Sequence, residues 1–209
     1  ALFKAPLFMV VGIIDHETGT RDVRTLSGIG RGHPVLAGMS AVAAASMAGL
    51  PPLFGFVAKE SVLEAAQHTA EHHGTVWAWV PLVVLSLGSV LTVAYTCRFL
   101  WGAFATKHEK DDAGTLRPVP ATAFRTSVTA LEISPSMVLT ALCVAMAFVP
   151  GPIEKVITAH TGALDPLDGA EEPAHLALWH GLTPILALSA AIIGLGLLLA
   201  WQRTRVEQA

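Results

Sequence analysis

The sequence predicts an all-α fold, a polytopic bundle of membrane-spanning helices, and three observations carry that expectation. First, 53% of the 209 residues are hydrophobic and 14% are charged, with a mean hydropathy of +0.57, which is too apolar for an ordinary soluble domain of this length. Second, the apolar residues fall into long blocks separated by polar stretches, at the scale of a helix crossing a hydrocarbon core about 30 Å thick. Third, the basic residues gather on one side of the alternating spans those blocks imply.

The first block, 1–14 (ALFKAPLFMVVGII), carries Lys4 inside it. It is shorter than the roughly 20 residues a crossing requires, so it is expected to be the second half of a membrane helix, in a chain that is a piece of a longer protein. Residues 15–34 are polar and glycine-rich, a loop with Arg21, Arg24 and Arg31 and no expected core. Residues 35–68 are mostly apolar and would measure about 51 Å as one rod at 1.5 Å per residue. Pro51 and Pro52 sit in its middle, so two half-helices, about 35–49 and 53–68, are expected from one discontinuous helix. The first half is dense in Ala, Gly and Ser, which suits close packing among neighbouring helices.

After a short polar turn, 77–105 is an apolar span with Trp77 and Trp79 at one end and Trp101 at the other, the positions of interfacial aromatic belts. Residues 107–132 read as a polar loop with one short surface helix, and 133–149 as a span halted by Pro150 and Pro152. The chain thus divides into 1–149, four spans of one module, and 150–209, an acidic outside loop followed by a span over about 174–201. Of the 13 Lys and Arg residues, ten fall on the side of the 15–34 and 107–132 loops and the C-terminal tail. One, Lys155, falls opposite, and Lys4 and Lys59 lie within spans. That asymmetry puts the basic loops in the cytoplasm.

Basic residues without interleaved aromatics give no support to nucleic-acid binding. Cys97 and Cys143 stand singly in apolar blocks, as small buried hydrophobes do, with no disulfide framework. No nucleophile with its base, no phosphate-cradling loop and no cofactor motif is present, so no cofactor and no metal centre are expected. His68 and His72 have a ligand spacing, but two ligands lack a third and a solvated turn accounts for them.

Lys59 is the residue these patterns single out. A lysine at bilayer depth costs about 2.5 to 3.5 kcal/mol on insertion scales, and desolvation disfavours the charged amine, so such a group can gain and lose a proton. A helix broken beside it frees backbone carbonyls for an ion path. The bland alternative is a helix end whose lysine snorkels to the headgroups. For Lys4 both readings stay open. Glu60 and Glu64 follow Lys59 and either face a wet cavity or pair across neighbouring turns, with a solvated position the simpler account of Glu64. His180, at the start of the last span beside Trp179, is either a proton-transfer group or an interfacial histidine bonded to a carbonyl.

The residues also carry a resemblance. ALFKAPLFMVVGIIDHETGTRD followed by MAGLPPLFGFVAKE resembles the second half of the antiporter-like module shared by Mrp-type multisubunit cation/proton antiporters and the large membrane-arm subunits of respiratory complex I. DHETGTRD with HLALWHGLTP is similar to the A-type branch of the Mrp antiporters. The resemblance implies that Lys4 lies on a helix linking two half-channels and that Lys59 belongs to the half-channel leading outside. It implies a monovalent cation (Na+)/proton antiporter, not an enzyme, assembled with other subunits in the lipid of a bacterial plasma membrane. The alternative is a proton-pumping membrane-arm component of NADH:quinone oxidoreductase. A third reading makes both lysines mere determinants of helix position.

Overall fold

The computed structural model describes residues 2–111, 115–149, 151–164 and 183–206. Its helices are α1 (Lys4–Thr18), a single turn α2 (Ile29–Gly32), α3 (Pro34–Ala48), α4 (Phe54–His73), α5 (Val80–Phe104, entered through a 3-10 turn at Val76–Trp79), α6 (Ala130–Phe148), α7 (Gly151–Leu164) and α8 (Pro184–Val206). The architecture is a helical bundle. Three stretches, Val76–Phe104, Ala130–Phe148 and Pro184–Gln202, are long and apolar enough to cross a membrane. Large apolar side chains such as Val84, Leu87, Leu91, Val138 and Leu195 stand exposed on them, the surface that lipid requires of a bundle.

The element ends follow local chemistry. Pro34 opens α3, where its missing N–H is no loss. A capping box opens α6: the Thr129 hydroxyl accepts the Glu132 N–H, and the Glu132 carboxylate accepts the Thr129 N–H at 2.7 Å. Pro135 lies inside α6 and cannot donate to the Leu131 carbonyl; the Ser134 hydroxyl donates to that carbonyl instead, at 3.0 Å.

α3 is the hub. It packs on α1, α4, α5 and α6, while α5 packs most extensively on α8 and α4 reaches α5, α6 and α8. One core joins Val10 and Ile14 of α1 to Leu26, Ile29, Leu36, Met39 and Ala103. A second joins Leu63 of α4 to Val90 of α5 and to Ile185 and Ile192 of α8.

Two expectations are corrected. The 15–34 loop does have a core: Leu26 and Ile29 are 2% and 1% exposed, because the loop folds back over the ends of α1, α3 and α5 and those two side chains fill the gap. The 107–132 stretch holds no surface helix among its described residues. Instead β1 (His108–Lys110) pairs antiparallel with β2 (Leu116–Pro118), with Glu109 opposite Arg117. Pro118 and Pro120 explain the preference, since neither can donate the bond a helix interior needs. The polar turn expected after residue 68 begins later, since α4 continues to His73 and stops at Gly74 in the left-handed region.

Candidate functional site

The corner between α3 and α4 brings together the sequence features singled out above. α3 ends in a Schellman motif: the Gly49 N–H donates to the Ser46 carbonyl and the Leu50 N–H to the Ala45 carbonyl, both at 3.0 Å, with Gly49 at φ 78°. The chain then turns through Leu50–Leu53, closed by the Leu53 N–H on the Leu50 carbonyl at 3.1 Å, with a cis peptide between Pro51 and Pro52. α4 begins at Phe54.

Those caps occupy the Ala45 and Ser46 carbonyls and leave Ala48 free. Lys59, half-buried in the second turn of α4, donates its Nζ to the Ala48 carbonyl at 2.6 Å. A helical side chain leans toward its own N-terminus, so a lysine at this position reaches back to the end of α3. The carbonyl end of a helix carries partial negative charge, and an ammonium there is favoured. Gly49 leaves the room for it: a Cβ there would lie 2.8 Å from both Lys59 Cε and Nζ.

Gly55 holds the two helices together. Its N–H donates to Ser46 Oγ at 3.1 Å, and a Cβ on it would fall 1.7 Å from the Ser46 carbonyl oxygen, so only glycine allows this approach. Ser46 Oγ also lies 3.2 Å from Cys143 Sγ on α6. The corner is thus a three-helix junction of α3, α4 and α6.

Glu60 reaches a different helix. It is buried, 6% exposed, and its carboxylate accepts the Ser189 hydroxyl of α8 at 3.0 Å. Glu64 is exposed, as are His68 and His72, whose rings stack with centroids 6.0 Å apart. No group of three or more potential metal ligands forms among the described residues. His180 lies outside the described residues.

Lys4 opens α1 and is exposed. It does not meet Lys59: α1 packs on α3 and α6, and α4 packs on the same two helices. The register still relates them. Leu7 packs with Ala43, Ala44 and Met47, and α1 and α3 run in opposite directions, so Lys4, one turn before Leu7, is level with the end of α3.

The opposite end of the bundle is built differently. Glu17, 2% exposed, accepts the Thr126 N–H and hydroxyl, both at 2.7 Å, and contacts His16 at 3.1 Å. The Thr126 bonds, first the hydroxyl and then the N–H, hold its carboxyl below the ordinary carboxylate range. The Ser27 carbonyl accepts the Thr122 N–H at 2.7 Å, and the Ser27 N–H donates to Thr122 Oγ1 at 2.9 Å. Lys107 Nζ donates to the Val23 carbonyl. Arg21 pairs with Asp15 and Arg24 with Asp22, the first lifting the guanidinium further and the second lowering the Asp22 carboxyl. Both basic loops therefore meet at one end of the bundle.

The structure places the expected Pro51, Pro52 and Lys59 at this corner and Glu60 on the neighbouring face of α4; sequence reasoning did not single out Ser46, Gly49, Gly55 or Ser189, and it placed Cys143 only as a buried small residue. The two glycines flanking the prolines were a usable signal. Ser189 was not, since it lies on a distant block, and Ser46 stands among the small residues of its own block with nothing to mark it.

In comparison with known proteins, residues 1–92 match the family described as NADH:quinone oxidoreductase/Mrp antiporter, TM. Over those residues, under half of its 209, the chain is similar to that family. It is similar to the A subunit of the Na(+)/H(+) antiporter of Bacillus subtilis (strain 168), 34% identical over 203 residues, which cover 94% of this chain and 24% of that relative. It is similar at 33% identity over 205 residues to the A1 subunit of the Na(+)/H(+) antiporter of Staphylococcus haemolyticus (strain JCSC1435), covering 95% of this chain and 24% of that relative. Among solved structures it resembles the Mrp complex from Dietzia sp. DQ12-45-1b, with a TM-score of 0.72 and 32% identity over 99% of this chain and 20% of that one. The chain spans about a quarter of the length of the curated relatives it matches.

Proposed function

We propose that this chain is the latter part of the antiporter module of a sodium/proton antiporter subunit of the A type, working with other subunits in a bacterial plasma membrane. Residues 1–149 supply the module and 150–209 an outside loop and a further span. Lys59 exchanges protons with the outside, Lys4 passes charge laterally, and the break at Pro51 and Pro52 admits water to the lysine. Glu60, held by Ser189, is a second intramembrane group on the same path. The basic loops face the cytoplasm.

The observation that carries this reading is the 2.6 Å bond from Lys59 Nζ to the Ala48 carbonyl. Among the described residues, one hydrogen bond to a helix end keeps the ammonium in place with no carboxylate paired to it that would lock its proton on. The membrane potential contributes about 2.3 kcal/mol per charge per 100 mV to a step that moves a proton through such a site. The antiporter is favoured over the oxidoreductase because the relatives aligned along nearly the whole chain are named as antiporter subunits.

The test is Lys59→Ala in the complete complex, assayed as sodium-dependent proton exchange in everted vesicles. Exchange falls to background while the complex still assembles. Undiminished exchange would remove Lys59 from the path.

A further inference from the structure

We propose that the inner face of α6 holds a file of bound water, lined by Ser136 and Thr140 and reaching the Lys59 corner at Cys143. Its use in transport rests on the proton-path reading above; its existence does not.

Ser136, Thr140 and Cys143 recur at helical spacing and so lie on one face. That face is interior: the three residues are 0%, 7% and 1% exposed, and Ala147 beyond them is 0%. Serine and threonine hydroxyls inside membrane helices can donate to the carbonyl one turn back, and at several positions in this bundle they do. Ser40 donates to Leu36, Ser61 to Val57, Ser86 to Leu82, Thr92 to Gly88 and Thr96 to Thr92. Ser46 and Ser189 bond to other helices instead, whereas Ser136 Oγ and Thr140 Oγ1 are buried with no hydrogen-bond partner among the described residues.

A buried hydroxyl without a partner is unfavourable, and a polar interior site with several donors and acceptors is one that water occupies. Two hydroxyls a turn apart, with a thiol beyond them, are such a site, and they run for about 10 Å along the axis of α6. The far end is continuous with the corner: Cys143 Sγ meets Ser46 Oγ, which accepts the Gly55 N–H, two residues before the Ala48 carbonyl that holds Lys59. α6 itself packs on α1, α3 and α4, the helices that carry or frame both lysines. The file approaches the corner from the basic-loop end, because α6 starts there, with Thr129 at its cap and Thr126 bound to Glu17. It therefore gives Lys59 a hydrated branch toward the cytoplasm in addition to the outward one.

Cys143 is a native reporter. In X-ray radiolytic footprinting of the assembled complex, hydroxyl radicals generated from bound water oxidise a neighbouring sulfur even where bulk solvent does not reach. With Cys97→Ala to leave one thiol in this chain, Cys143 is oxidised despite its burial, and Ser136→Ala with Thr140→Val lowers that rate at least threefold. Thr140→Ser, which keeps the hydroxyl, retains the original rate and controls for loss of fold. An unmodified Cys143, or equal oxidation with and without the two hydroxyls, overturns the water file. Lys59→Ala with undiminished exchange and an oxidised Cys143 would instead leave the water in place and remove the transport reading.

Discussion

The two ends of α3 are held by opposite strategies. At its start, where the basic loops converge, polar groups are tied by several short bonds each: Glu17 takes both donors of Thr126 and contacts His16, and Ser27 exchanges bonds with Thr122 across 95 residues of sequence. At its finish, one ammonium rests on one carbonyl, with a glycine cleared away on each side of the Pro51–Pro52 turn. Multiply bonded buried groups fix a geometry and resist rearrangement. A charge with one hydrogen bond among the described residues is held less firmly than the groups at the loop end. The loop end is a clamp, and under the proposed function the corner is the working part.

The corner's close packing offers the most severe way to break that contrast. Gly55→Ala puts a methyl 1.7 Å from the Ser46 carbonyl oxygen, which forces α3 and α4 apart. Overpacking of this kind costs about 1 to 3 kcal/mol and more where backbone must move. The expected result is loss of assembled complex on size-exclusion chromatography, together with loss of exchange. A variant that assembles normally would show that the junction is looser than described.

A smaller effect belongs to the clamp. The Glu17 carboxyl is held below its ordinary range by Thr126, so its contribution to stability is fully present above the unfolded value, near pH 4 to 5. It is lost as the pH falls through the lowered folded value. Glu17→Gln therefore lowers the melting temperature at neutral pH, and the gap from the parent narrows as the medium is acidified below about pH 4. Exchange per assembled complex stays unchanged. A gap that widens with acid would reverse the sign assigned to Glu17.

The sequence made the corner visible and the clamp nearly invisible, for a physical reason. Pro51, Pro52 and Lys59 violate the rules of an apolar helix within nine residues of one another, so length arithmetic alone demands a break there. Ser27 and Thr122, or Glu17 and Thr126, break no local rule; their meaning depends on which loops the helices bring to the same end. Charge counting put those loops on one side, but it could not say that Leu26 and Ile29 would fill the space between the helix ends. The stripe on α6 was hidden in another way. Ser136, Thr140 and Cys143 are all compatible with a span, and only the packing of α1, α3 and α4 around them turns that face inward.

The central claim is that Lys59 carries protons and does not merely cap α3. Lys59→Gln separates the two roles, because it keeps an N–H donor, one bond shorter in reach, on the side of the Ala48 carbonyl but cannot take up and release a proton. Measured as sodium-dependent proton exchange in everted vesicles at equal complex content, the account predicts background activity for Lys59→Gln with normal assembly. Exchange at the parental rate would contradict it and leave the lysine a helix cap.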